Sequence, residues 1–418
     1  MAKKSVYASI EIADREVRLA VVEIFNNRSN VLRVERCAHS GISNGKITDE
    51  KEVTNAVKQA LSQAENALGY RIERVLLAVP SRGVKNVNTK VHIDIDDGTH
   101  TVRRFHLQQG LKTAMHAASF DDEVLINVNR IQYFIGATHL DEMPFGCDAA
   151  EFDMDVDLLY GNRELVFSYV KAVEDAGIQV MDIAVDLYAA AKETGSLLQS
   201  ADAPVILISL EADHTALALL NQNKIAFCAV IDQGYQSFIE KLQDRYQLSD
   251  SAAWRLLENL FSVPKEDDED RVIYIEQQEN RRVEITRKEL ADAVLPRMRS
   301  WIAEINAACQ AIVSQTKARY LITGQGSNIP VLRDLLKDFN ASADVYSVSS
   351  IGARSGCFVV PLGMAYVWED GNEIQGRDKI SVNNNELEES IESITRYVKD
   401  EEGGFTRKLK RVILTSKN

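Results

Sequence analysis

The chain has 418 residues, 45% of them hydrophobic and 26% charged, with a formal net charge of −14. That length allows two or three domains with ordinary cores, and so acidic a balance excludes a nucleic-acid-binding body, because phosphate contacts need clustered cations. No apolar run approaches the roughly 18 residues that span a bilayer, the start MAKKSVYASIEIADREV lacks a signal-peptide core, and five scattered cysteines and seven histidines show neither a disulfide framework nor a metal-ligand spacing. The expectation is therefore an unexported chain with reduced cysteines, no structural metal and no catalytic constellation of the Ser/His/Asp, Cys/His or paired-carboxylate kind.

In chain order, SVYASIEI, the turn ADRE and VRLAVVEI (5–24) form an apolar strand, a polar turn and a second strand, followed by the helical run TNAVKQALSQAENAL. RVLLAVPSRG (74–83) is a buried strand expected to feed a tight turn and helix. Residues 84–160 read as short strands with one helix, RFHLQQGLKTAMHAA, an inserted α+β module. After it, ELVFSYVKAVEDAGIQVMDIAVDLYAAAKET resumes helix, strand, helix. VILISL, the turn EADH and TALALL (205–220) then repeat the opening plan, continuing into NKIAFCAVI and the helical YQSFIEKLQDRY. The stretch 235–318 is largely helical with a charged hairpin, EDRVIYIEQQENRRVEIT, and RYLITGQGSNIPVLRDLL (319–336) is a second strand-turn-helix ending. A duplicated α/β core follows from this repetition.

The segment NEIQGRDKISVNNNELEESIESITRYVKDEE is acidic and polar and predicts a flexible tether. Beyond Gly403 and Gly404, GGFTRKLKRVILTSKN is basic and amphipathic: as a helix it sets Phe405, Leu409, Val412 and Ile413 on one stripe with Leu414 beside it, flanked by Arg407, Lys408, Lys410 and Arg411. Such a helix suits an anionic bilayer surface, each cation contributing roughly 1 kcal/mol. Packing on the protein's own body and docking in an acidic protein groove are the alternatives.

Two related α/β halves with strand-turn-strand openings resemble the actin, Hsp70 and sugar kinase superfamily, in which the two hairpin turns grip ATP phosphates. TGQGSNIPVLRDLL, the helix ITRKELADAVLPRM (285–298), the segment NRIQYFIGATHLDEMPFG and the amphipathic end narrow the resemblance to the FtsA family of bacterial cell-division proteins, over nearly the whole chain. It implies an actin-like two-half fold divided as follows. The first half comprises 1–83 and 161–192, interrupted by an inserted α+β subdomain, 84–160; the second half comprises 193–234 and 311–368, interrupted by an insertion, 235–310; a linker, 369–403, and a membrane-targeting helix, 404–418, complete the chain. It also implies attachment to the cytoplasmic face of the cell membrane at the division site, self-association into protofilaments, and capture of the C-terminal peptide of FtsZ. Arg287, Lys288 and Arg297 are the candidate contacts for that peptide.

The departures from the family lie where ATP and magnesium would sit. Where the family has Asp-Ile-Gly-Thr, this chain has Glu11, Ile12, Ala13 and Asp14; where it has Asp-Ile-Gly-Gly-Gly-Thr, this chain has Ser209, Leu210, Glu211, Ala212, Asp213 and His214. Glycines at such turns let backbone N–H groups approach phosphate, and a carboxylate about 5 Å from a phosphate charge repels it by roughly 3 kcal/mol at an effective dielectric near 20. Weak or lost ATP binding is expected, with Gly324, Gly326 and Ser327 as a vestigial adenosine turn or a plain strand-to-helix connection. The leading expectation is a non-enzymatic scaffold that ties FtsZ filaments to the membrane. An actin-fold ATPase and a PilM-type pilus-assembly adaptor are the alternatives.

Overall fold

A computed structural model describes residues 5–25, 28–118, 120–140, 142–260, 263–264, 269–278, 281–376 and 380–382. The acidic tether beyond 382 and the amphipathic segment with Phe405, Arg407, Lys408, Leu409, Lys410, Arg411, Val412, Ile413 and Leu414 lie outside the described residues.

The chain opens with β1 (Ser5–Ile12), β2 (Glu16–Phe25) and β3 (Arg28–Ala38), then a minimal hairpin of β4 (Ile42–Ser43) and β5 (Lys46–Ile47), the helix α1 (Glu50–Leu68) and β6 (Arg74–Val79). Asp49 starts α1 by accepting from the backbone N–H groups of Lys51 and Glu52, and Gly69 ends it at φ 77°. Rather than feeding a helix, β6 turns through Pro80–Val84 into the inserted subdomain: β7 (Lys85–Asp94), α2 (Arg104–Ala117), β8 (Glu123–Ile135), β9 (Thr138–Leu140) and β10 (Glu151–Asn162). Apart from the three-residue β9, its strands are long, not short, and β10 pairs with both β7 and β8 along most of their length. The first half resumes with α3 (Arg163–Glu174), β11 (Gln179–Val185), α4 (Asp186–Glu193) and the single turn α5 (Ser196–Gln199).

The second half runs β12 (Val205–Leu210), β13 (Thr215–Asn221) and β14 (Lys224–Ile231), then α6 (Glu240–Tyr246), α7 (Asp250–Glu258), the charged hairpin β15 (Val272–Gln278) and β16 (Arg281–Thr286), and the 29-residue α8 (Arg287–Gln315). It closes with β17 (Arg319–Thr323), β18 (Ala343–Val345) and α9 (Val359–Gln375). The run after β17 is not α-helical: Gln325–Asn328 and Pro330–Asp338 are 3₁₀ turns.

The duplication is visible in the sheets. One has the order β11-β6-β1-β2-β3 and the other β14-β13-β12-β17-β18. In each, an antiparallel three-strand meander carries parallel strands beside its first strand. Strand period sorts the second sheet between two cores: Val205 and Leu207 join one shared with the first half, while Ile206, Ile208 and Leu210 join another under α6, α7 and α8. The subdomain has a third core of its own.

The halves meet where α4 crosses α9. Gly363 allows the crossing, since a Cβ there would fall 1.9 Å from the Ala189 carbonyl oxygen. Helix α9 runs through Gln375, past the expected linker start at 369, because Ile374 is buried in the subdomain core. Ile380–Val382 also dock on the first sheet. Buried Ser381 donates its N–H to the Val6 carbonyl (3.0 Å), its hydroxyl accepts from the Ala8 N–H (2.8 Å), and Val382 bridges to Ile72. Helix α8 likewise runs beyond 310, the expected end of the second-half insertion.

Candidate functional site

The β1–β2 and β12–β13 turns, one from each half, face each other across a small cavity. The β1–β2 register sets Glu11 opposite Arg18, so both side chains stand on the same sheet face. Arg18 is 1% exposed, and its guanidinium reaches across the halves: Nη2 donates to Glu211 Oε2 (2.6 Å), Nη1 to Glu11 Oε2 (3.2 Å) and Nε to Glu16 Oε1 (2.7 Å). A longer contact of 3.4 Å joins Nη2 to Gln325 Oε1, which also accepts from the Tyr235 hydroxyl at 2.8 Å.

The rim is cross-linked too. Asp14 accepts from the Asp213 N–H at 2.9 Å, and His214 Nδ1 lies 2.9 Å from both of its oxygens. Arg15 grips Asp213 through Nη2 (2.7 Å) and Nε, and reaches Asp250 at 2.9 Å. Arg82 of the first half pairs with Asp232 of the second at 2.6 Å.

These contacts decide the protonation states. Burial opposes charge on Arg18, but Glu211, Glu11 and Glu16 around it hold it firmly charged. Burial lifts the Glu11 carboxyl well above the usual range; Arg18 pulls it down, while Glu211 and Asp186 push it further up. Asp186 is pushed up to about 6, again by burial. Burial would raise Asp14 as well, yet its hydrogen bond and charge interaction with His214 hold it low, and the same partner raises His214 against its own burial. The carboxylates expected to repel phosphate are therefore not free. Asp14 is paired with His214, Glu211 with Arg18 and Asp213 with Arg15.

The cavity that remains has a volume of about 40 Å³ and is lined by Glu11, Asp14, Asp186, Ser209, Glu211 and His214 among others. That is room for a water or two, which need about 10–15 Å³ each, whereas ligand pockets run to about 300–1,000 Å³.

The glycine turn belongs to the same site. Gly324 has φ 81°, and a Cβ on it would fall 2.6 Å from Glu211 Oε1 and 2.7 Å from the Leu210 carbonyl oxygen. A Cβ on Gly326 would fall 2.3 Å from Leu210 Cγ, and Ser327 Oγ donates to the Gly324 carbonyl at 2.7 Å. The turn thus packs directly on the β12–β13 hairpin, which is sufficient reason for its glycines.

The three candidate peptide contacts share α8 but not one spot. Thr286 and Glu289 form a capping box at its start. Arg287 and Lys288 occupy the first turn, with Lys288 Nζ 2.6 Å from Glu269. Arg297 follows about 15 Å further along the axis, nine residues or half a turn round from Lys288. Sequence reasoning missed Arg15, Arg18 and Gln325. An arginine in the apolar run VRLAVV was the available signal. Among the described residues, His92, Asp94 and Glu151 also cluster with metal-ligand spacing, but all three are exposed at the edge of the subdomain sheet.

No family model matches the chain. It is 19% identical over 386 residues to the cell division protein FtsA of Bacillus subtilis (strain 168), covering 90% of this chain and 86% of that protein. With FtsA of Staphylococcus epidermidis (strain RP62A) it shares 22% over 357 residues, 83% of this chain and 75% of that one. Among solved structures, a chain of a PilM–PilN type IV pilus biogenesis complex superposes with a TM-score of 0.57 at 16% identity, covering 86% of this chain and 97% of that one. MreB5 of Spiroplasma citri bound to ADP does so with a TM-score of 0.52 at 12% identity, covering 89% and 99%. Two sheets of one plan and a subdomain inserted after β6 agree with these comparisons: the chain has the actin-like fold and is similar in sequence, at 19–22% identity, to FtsA cell-division proteins.

Proposed function

We propose that this chain is a cell-division scaffold that works without nucleotide, tying FtsZ filaments to the cytoplasmic face of the cell membrane. The observation that carries the nucleotide-independent part is the filled site: Arg18 joins Glu11 to Glu211, and about 40 Å³ remains beside them. The relatives' name supports the division role. The basic amphipathic segment at 404–418 is the proposed anchor, its apolar stripe and cations acting together on an anionic bilayer. For the FtsZ C-terminal peptide, the proposed receiver is the first turn of α8 at Arg287 and Lys288, where positive side chains and the positive end of the helix dipole act in the same sense, with Arg297 further along. Self-association in the manner of actin-like proteins is part of the reading. Likeness to the PilM chain concerns the fold alone; the sequence relatives favour the division role over a pilus-assembly one.

The test is sedimentation with anionic vesicles, combined with fluorescence polarisation of a labelled FtsZ C-terminal peptide, each with and without magnesium ATP. The full chain should pellet and bind peptide equally in both conditions. Deleting residues 404–418, or replacing Leu409 and Ile413 by Glu, should release it from vesicles. Arg287→Glu with Arg297→Glu should weaken peptide binding about tenfold, equivalent to about 1.4 kcal/mol, with little change in thermal stability. Pelleting by the tail deletion, or a strict requirement for ATP, would sink the scaffold reading.

A further inference from the structure

We propose that the two halves of this chain are clamped in one closed arrangement by Arg18, a cation internal to the protein that bridges the two hairpin turns in place of any bound ligand. This deepens the nucleotide-independent scaffold reading and rests on it only in taking the cleft to be free of nucleotide.

The geometry assigns each neighbour a part. Glu11 and Glu16 come from the first half and Glu211 from the second; closing the halves sets Glu211 beside Glu11, both lining the cavity of about 40 Å³, and Arg18 bonds all three. Carboxylates in so dry a space repel, and closure holds only with a cation between them. Arginine suits the task because its planar guanidinium offers donors in several directions at once and stays charged when buried. Here Nε, Nη1 and Nη2 each go to a different carboxylate.

The second half holds its side of the clamp ready. Ser209 donates to Glu211 Oε1 at 3.2 Å, leaving Oε2 for Arg18, and Gly324 leaves the space that the carboxylate fills. Gln325 supplies one more acceptor for the guanidinium and is itself oriented by Tyr235. The retained glycine turn thus acquires a use here that involves no adenosine. Asp14 with Asp213 and His214, and Arg15 with Asp213, tie the same two turns together at the rim.

Hydrogen exchange followed by mass spectrometry on the full chain tests this directly. In Arg18→Ala, peptides covering residues 9–19, 209–216 and 322–328 should lose protection by about tenfold or more, while the β8–β10 pair and the middle of α8 keep theirs. Millimolar guanidinium, which can enter the vacated space, should restore protection at the turns. Arg18→Lys covers the case in which the alanine variant fails to fold: a point ammonium cannot serve three carboxylates, so the same three peptides should exchange faster. Wild-type protection at the turns in Arg18→Lys overturns the clamp, as does an equal loss of protection over the whole chain in either variant, which would mark Arg18 as a general stability residue. Because exchange is read without vesicles or peptide, the clamp can fail while the scaffold reading stands, and membrane or peptide binding can fail while the clamp stands.

Discussion

Two buried charge clusters hold this molecule together, and they are opposite in composition. Between the halves, one cation, Arg18, serves three carboxylates. Between the subdomain and the second half, one carboxylate, Asp157, serves two cations: it is fully buried and lies 2.8 Å from both Arg130 and Lys224, with Asn86 and Asn88 also donating to it. In the first cluster burial, more than the neighbouring carboxylates, raises Glu11, so that it holds a proton that an exposed carboxylate would release, while Arg18 and Arg36 hold Glu16 low. In the second, burial opposes charge on Asp157, but Lys224 and Arg130 hold it below the usual carboxylate value. The two seams therefore differ in their response to pH: both lose stability towards acid, and only the Arg18 seam, through Glu11, also loses it towards alkali.

The largest effect is expected from removing the shared ion at the subdomain seam. Asp157→Ala leaves two cations facing each other without a counter-ion, at a cost of about 3–5 kcal/mol; urea melts should show it as a lower midpoint. A cost under about 1 kcal/mol would mean the subdomain docks by its apolar contacts alone.

Next comes the alkaline limb. Glu11 is pushed up to about 8, Glu193 to about 7 and Asp186 to about 6, all chiefly by burial, so the folded state holds these protons more tightly than the unfolded chain. Their contribution is fully present below the unfolded carboxylate values and is lost as pH rises towards about 8. His214, also raised, loses its contribution as pH rises through its folded value. Thermal midpoints should therefore fall from pH 6 to pH 8.5, and Glu11→Gln should flatten that fall. A slope unchanged by the substitution would show that Glu11 is ionised throughout.

On the acid side the two seams should weaken together. The depressed carboxyl of Asp157 contributes stability above its unfolded value that is lost as pH falls through its folded one, as do Asp14 and Glu16. Acid should therefore lower hydrogen-exchange protection at β7 and β10 and at the peptide 9–19 alike; full protection kept at β7 and β10 would mean that the Asp157 ion pairs contribute nothing to docking.

The smallest expected effect is none. Magnesium ATP at a hundredfold excess over a micromolar dissociation constant would stabilise a binder by about 2.7 kcal/mol; here a thermal shift assay should register no change. A clear upward shift would mean that the Arg18 cluster opens and that the site is a hinged nucleotide cleft after all.

Local sequence carried much of the fold. Alternating apolar residues in VYASIEI and ILISL, polar turns at ADRE and EADH, and the return of the same order some 200 residues later were enough for two related sheets. The helices α1, α3 and α4 were equally plain, because period is a property of neighbours in the chain; of α8 only the stretch 285–298 was marked, and its continuation to Gln315 was not. Boundaries were less so. Nothing near Glu369 reveals that α9 continues until Ile374 meets the subdomain core, or that Ser381 returns to bond β1, since both depend on units folded elsewhere.

The site divides in the same way. From sequence came the two degenerate turns, the extra carboxylates and the glycine turn, and from these the expectation that phosphate is disfavoured. The reason given then was repulsion by free carboxylates. Only the tertiary structure pairs Arg18 with Glu211, 193 positions away, and with Gln325, 307 positions away, and so replaces repulsion with occupancy. A charged residue's type is written in its codon, but whether it is bare, solvated or neutralised depends on which distant group closes over it. That is a property of two packed halves, and no window of neighbouring residues contains it.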